Sequence, residues 1–202
     1  MSEFTTSLVG ENFTHRNLWH TATHLKDMGD SISEGSGHQY KAATVFSMFS
    51  FEAYLNYLIS KLDENVSKKE RAFFGPKGDY SGIRGKIKWI LETLNLPKAN
   101  FGSYPYQHLI GVINARDVYA HGKPEMCEIT ENHDTPEHDI SPSWYGKTVT
   151  KDDIVQTMDC IIEITNQMHT KANEYLESPL WWGAEALSGP LSYVVGDTEC
   201  SS

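Results

Sequence analysis

Arginine is scarce in this 202-residue chain, which has only four, and lysine does not make up the deficit: 17 basic residues stand against 27 acidic ones, for a formal net charge of −10. A protein that coats nucleic acid needs a basic face, because repulsion from the phosphate backbone lowers both affinity and association rate. That class is excluded; a cleft gripping one or a few phosphates through a local positive patch is not. Cysteine is equally sparse. Cys127, Cys160 and Cys200 are an odd number without metal-like spacing, which points to a reduced cytosol rather than a disulfide framework. Long apolar runs are missing too. The most apolar stretch, residues 42–59, carries Glu52 and Asn56 at its centre and reads as a buried helix rather than a membrane span. The first six residues have neither a basic start nor an apolar stretch and do not read as a signal peptide. The expectation is a cytoplasmic protein without membrane contact. Its apolar content of 39% suffices for one domain with a sizeable core.

What is present is helical periodicity. Leu18, Ala22, Leu25, Met28 and Ile32 recur at three- and four-residue steps and predict an amphipathic helix over 11–34, ended by Glu34-Gly35-Ser36-Gly37. Residues 38–63 are apolar on nearly every side, as expected of a central helix. Within it, Glu52 and Asn56 are four apart and read as a hydrogen-bonded polar pair satisfying a buried site. A short helical turn is expected over 66–74, then a loop at Gly75-Pro76-Lys77-Gly78. A helix over 81–95 follows, with Ile83, Ile87, Ile90 and Leu94 inward and Arg84, Lys86 and Lys88 on a solvated basic face, a candidate secondary RNA contact. Pro105 suits the first turn of the next helix, whose Leu109, Val112 and Ile113 should pack inward. The last helix, over 151–177, opens with a capping pattern of Thr150 and Asp153. It carries a near-heptad stripe of Ile154, Met158, Ile161, Thr165, Met168, Ala172 and Tyr175.

Between these helices, residues 122–148 form an irregular acidic insertion. Glu125, Glu128, Glu131, Asp134, Glu137 and Asp139 outnumber Lys123 and Lys147, and Pro124, Pro136 and Pro142 break any helix. An acidic loop directly after a catalytic motif can act as a phosphate mimic or lid, or be a solvated excursion. Residues 178–202 form an aromatic tail with Trp181, Trp182 and Tyr193, expected to dock on its own bundle or a partner chain, with a loose end from Gly196. The division is therefore a single helical domain over 1–177 and a tail over 178–202.

The segment with the most chemistry is Arg116-Asp117-Val118-Tyr119-Ala120-His121-Gly122. Attack of a ribose 2′-OH on its neighbouring phosphate needs a group that moves a proton near neutral pH, which imidazole supplies. The more negative transition state needs a permanently charged, planar donor, which guanidinium supplies. On a helix, Arg116 and His121 are separated by about 140° around the axis and ~7.5 Å along it. Asp117 and His121 share a stripe, so Asp117 is the candidate to orient the imidazole. Gly122 and Pro124 stop the helix and leave His121 in its last turn, beside free carbonyls that favour its charged form. His108 and Lys123 are candidate substrate-binding residues that would complete the positive patch. The plain alternative is a surface arginine and a helix-capping histidine. His20 with His24, and His133 with His138, lack the spacing and third ligand of a metal site, so neither metal nor cofactor is expected.

This segment resembles the Arg-x4-His signature of the HEPN superfamily, in which the residue after the arginine is polar, as Asp117 is. Residues 42–56, with Glu52-Ala53-Tyr54-Leu55-Asn56 at their centre, are similar to the long first-half helix of many HEPN domains. The resemblance covers about residues 11–177 and outside these two segments rests on helix order. It implies an all-α bundle of four to five main helices, a homodimer with both signatures lining one cleft, and metal-independent endoribonuclease activity in toxin–antitoxin, phage-defence or RNA-processing systems. It also implies a possible antitoxin partner such as a nucleotidyltransferase. The regulatory tyrosine of such pairs follows the signature histidine, whereas Tyr119 precedes it, so that modification is not carried over. Other family members keep the fold as catalytically inactive binding or scaffold domains. A third possibility is an unrelated helical bundle, which burial of Arg116 in an ordinary salt bridge would favour.

Overall fold

The computed structural model describes residues 7–121, 149–176 and 185–197, and within these the side chains of 7–10, 120–121 and 193–197 are not described. Among the described residues there are seven helices and one two-stranded sheet: β1 (Ser7–Asn12), α1 (Thr14–Ser31), α2 (Ser36–Leu62), α3 (Glu64–Lys68), α4 (Glu70–Phe74), α5 (Gly82–Thr93), α6 (Tyr106–His121), α7 (Lys151–Tyr175) and β2 (Ser192–Asp197). The all-α class expected from periodicity holds.

Helix α2 is the hub, packing against α1, α3, α5, α6 and α7. Its Phe51, Tyr54, Leu55 and Leu58 have no solvent exposure and join Ile87 and Ile90 of α5, Leu109 of α6, and Ile161 and Met168 of α7 in one core. A helix contacted on so many sides cannot be amphipathic, which is why its sequence shows no polar stripe. Helix α7 contributes the buried stripe Ile154, Met158, Ile161, Thr165, Met168 and Ala172, with Tyr175 left exposed. Its start is the expected capping box: Thr150 Oγ1 accepts from the Asp153 amide at 3.2 Å, and Asp153 Oδ2 accepts from the Thr150 amide at 2.9 Å.

The inward face of α1 differs from the sequence expectation. His15, Arg16, Ala22 and Gly29 are buried, while Met28 and Ile32 are exposed. Close approach of α2 sets this rotation. A Cβ on Gly29 would lie 2.5 Å from the Tyr40 ring, and Tyr40 donates its hydroxyl to Asp30 at 2.9 Å. Only glycine leaves room for that ring. Helix α1 also starts later than expected, because residues 11 and 12 belong to β1.

That strand pairs antiparallel with β2, Ser7 opposite Asp197 and Asn12 opposite Ser192. The chain just before β2 docks as well: Ala186 and Leu187 are buried, the Ala186 amide donates to Asn166 Oδ1 at 2.9 Å, and Arg16 donates to the Pro190 carbonyl at 3.1 Å. The described part of the tail, residues 185–197, therefore docks on its own bundle. Gly196 and Asp197, expected to be loose, pair with Leu8 and Ser7. Residues 178–184, with Trp181 and Trp182, and the insertion over 122–148 lie outside the described residues.

Candidate active site

Helix α6 carries the signature as one continuous helix through His121. Leu109 and Val112 are buried and anchor it, while Ile110, Ile113, Arg116 and Asp117 line a groove of about 630 Å³. The other walls come from Glu52 of α2, Glu70, Arg71 and Phe74 of α4, and Ile83, Arg84 and Lys86 of α5. Its volume lies within the roughly 300–1,000 Å³ of ordinary ligand sites.

Three of the four arginines in the chain, Arg71, Arg84 and Arg116, line this groove. Among the described residues, they and Lys86 set four cations against the three carboxylates of Glu52, Glu70 and Asp117. In a chain of net charge −10, the groove is locally positive. Alternating packing across α2, α4, α5 and α6 gathers the charges from distant parts of the sequence.

Arg116 is 17% exposed. It lies over the Phe49 ring, 5.6 Å from the centroid, and its Nη2 is 3.5 Å from Glu52 Oε2. Its Nε is 3.1 Å from Asp117 Oδ1, but the carboxylate lies off the N–H axis. The buried Nε–H therefore makes an ion-pair contact without a hydrogen bond. An unsatisfied buried donor of this kind is costly, and an acceptor entering the groove would relieve it. Asp117 meets Arg116; its expected contact with the His121 imidazole falls outside the described side chains, as does Lys123.

The Glu52–Asn56 pair expected from spacing is split between two cations. Glu52 turns to Arg116, whereas Asn56 accepts from Lys86 Nζ at 2.6 Å, and Lys86 also meets Glu70 at 2.5 Å. Lys86 is thus a correction to the solvated basic face: its side chain is 7% exposed and its ammonium is committed. Arg84 remains at the surface, 5.7 Å over the Phe101 ring, with Lys88 5.9 Å from the same ring.

His108 does not join the groove. It sits two turns before Arg116 on a different side of α6 and lines a second cavity of about 320 Å³ with Thr44, Tyr119, Asp153 and Thr157. Its Nε2 is 3.2 Å from Thr157 Oγ1. Burial holds the His108 pKa below its ordinary value, and Asp153 offsets this only in part. A largely neutral imidazole turned toward α7 contributes nothing to a phosphate patch beside Arg116.

Cys160 offers no nucleophile. It is buried, it donates to the Pro105 carbonyl at 3.1 Å, and burial, with Glu163 adding to it, pushes its pKa up to about 11. Among the described residues, no three His, Cys, Asp or Glu side chains are placed to hold a metal ion, and no helix is long and apolar enough to cross a membrane. His20 and His24 are exposed; His133 and His138 lie outside the described residues.

Arg71 was not singled out by sequence reasoning. The available signal was the rarity of arginine itself: with only four in the chain, each merits a question about its partner. Comparison with protein-family models, with curated proteins and with solved structures gives no match for this chain.

Proposed function

We propose that the protein is a metal-independent endoribonuclease that binds RNA in the arginine-lined groove and cleaves it through Arg116 and His121. The observation that carries this reading is the convergence of Arg71, Arg84 and Arg116 on one concave surface of an acidic chain. Arginine forks match phosphate oxygens in charge and geometry, and a positive groove on a negative molecule concentrates anions locally.

In the proposed reaction, His121 takes the proton from a ribose 2′-OH as its oxygen bonds to the adjacent phosphorus. The bond from phosphorus to the 5′-oxygen breaks, and that oxygen takes a proton from solvent and leaves as a 5′-OH. A 2′,3′-cyclic phosphate remains on the other fragment. Arg116 stabilises the charge gathered on the non-bridging oxygens, with Nε–H and the Nη donors exchanging carboxylate partners for phosphate. Asp117 orients the catalytic set. The HEPN-like bundle is part of this proposal, as are cytosolic action, a homodimer that places two His121 side chains on one cleft, a toxin or phage-defence role, and a nucleotidyltransferase antitoxin as partner.

A single-turnover RNA assay in excess EDTA tests the reading. Cleavage should survive chelation and vanish in both Arg116→Ala and His121→Ala. Full activity in the His121→Ala protein would refute it.

A second reading is favoured by the contacts of Arg116 with Glu52 and Asp117: a catalytically inactive binding or scaffold bundle, HEPN-like or unrelated to that family, in which these are structural ion pairs. RNA would then stay intact, and signature substitutions would alter assembly or ligand affinity instead.

A further inference from the structure

The cations of the groove fall into two sets. Arg116 and Lys86 are engaged by carboxylates, the first by Glu52 and Asp117, the second by Glu70. Arg71 and Arg84 form no ion pair among the described residues, and both are exposed. Glu70, the sequence neighbour of Arg71, is occupied by Lys86. Arg84 is steadied by the Phe101 ring, which limits its freedom without neutralising its charge. Among the described residues, two guanidinium groups without a carboxylate partner thus line a groove whose other two cations are paired. The same groove is also lined by apolar side chains, including Phe74, Ile83 and Ile113.

We infer that Arg71 and Arg84 form a second phosphate-binding subsite, holding a phosphodiester of a single-stranded polynucleotide beside the one that Arg116 engages. This rests on the reading of the groove as an RNA site. The two arginines hold the backbone, and the apolar surface accepts an unstacked base. A duplex keeps its bases stacked and presents only backbone, whereas single strands expose base faces to apolar and aromatic side chains. Forked guanidinium donors match the two non-bridging oxygens of a phosphodiester bidentately, and the apolar surface for a base is what separates a polynucleotide from a carboxylate polymer. The subsite assigns affinity and register to Arg71 and Arg84 and leaves chemistry to the signature.

The test uses a fluorescently labelled single-stranded DNA octamer, which lacks the 2′-OH and stays uncleaved. Binding to the full-length protein is followed by anisotropy between 50 and 200 mM salt. Arg71→Ala and Arg84→Ala should each weaken binding and flatten the plot of log affinity against log salt by about 0.7, the increment for one phosphate contact on a single strand. Lys171→Ala, which removes a cation paired with Glu174 on α7, should change neither. Circular dichroism melting checks that the variants stay folded; Arg71→Lys and Arg84→Lys, which keep charge, should preserve the salt slope. The inference is overturned if Arg71→Ala and Arg84→Ala bind with the parental slope, if the parent does not bind the strand, or if polyglutamate of equal charge displaces it as well as DNA does. These outcomes are separate from the cleavage assay. Binding that depends on Arg71 and Arg84 without any RNA cleavage would sink the nuclease reading and keep the subsite, and cleavage that ignores them would do the reverse.

Discussion

The Glu52 carboxylate of α2 stands 3.5 Å from the Arg116 guanidinium of α6, joining two segments 64 positions apart across the wall of a groove. Both groups are partly shielded, Glu52 at 33% and Arg116 at 17% exposure, so their attraction exceeds that of a fully exposed pair. It also means that any phosphate reaching Arg116 competes with Glu52.

Glu52→Gln should therefore raise affinity for a single-stranded oligonucleotide. Partly exposed ion pairs are worth up to about 1 kcal/mol, so the gain should be no more than ~5-fold. Anisotropy titrations of parent and variant at one salt concentration measure it. Unchanged or weaker binding would mean that Glu52 does not oppose the ligand.

Arg116→Lys keeps the charge but loses the fork. If the guanidinium stabilises the transition state, single-turnover cleavage should fall by about 10²-fold or more, in line with the loss of one well-placed oxyanion donor. Strand binding should change far less. Near-parental cleavage in this variant would reduce Arg116 to a point charge.

Lys86→Met leaves Glu70, whose side chain is 53% exposed, without its cation and free to turn on neighbouring Arg71. Stability should drop by about 1 kcal/mol through the lost hydrogen bonds to Asn56 and Glu70. Strand affinity should fall as well, by ~5-fold at most. Adding Glu70→Gln should restore the affinity but not the stability. Denaturant unfolding and anisotropy separate the two effects, and failure of the double variant to recover binding would remove Glu70 from the argument.

His15 makes stability pH-dependent. Burial, reinforced by Arg16 and His169, lowers its pKa from 6.5 to about 3. The unfolded chain takes up a proton below pH 6.5 that the folded chain accepts only near 3, so acid draws the equilibrium toward unfolding across that window. The contribution approaches 1.4 kcal/mol per pH unit once below 6.5. Urea unfolding between pH 7.5 and 5 should show stability falling on acidification, and the imidazole resonances of His15 should stay those of a neutral ring at pH 5. A charged ring at that pH would contradict the burial.

Much of the helical frame was legible from local pattern. The Thr150 and Asp153 cap, the stripe from Ile154 to Ala172 and the all-round apolarity of α2 are short-range features, and each element appears where they predict. The face of α1 was misjudged because a periodic pattern admits two neighbouring stripes. Gly29 against Tyr40 chose between them, and that contact spans two helices. Residues 11 and 12, the end of β1, read as the start of a helix because the strand's partner lies at the far end of the chain, in Ser192–Asp197.

The candidate site divides in the same way. By itself, the sequence determined that Arg116, Asp117 and His121 ride one helix, since hydrogen bonding from one turn to the next specifies that spacing. Only tertiary structure decided that Glu52 answers Arg116, that Lys86 is buried against Glu70 and Asn56, that His108 turns to Thr157, and that Arg71 and Arg84 join the signature arginine. The reason is physical: a charged side chain takes whichever partner packing brings within a few ångströms, and that partner need not be near it in sequence.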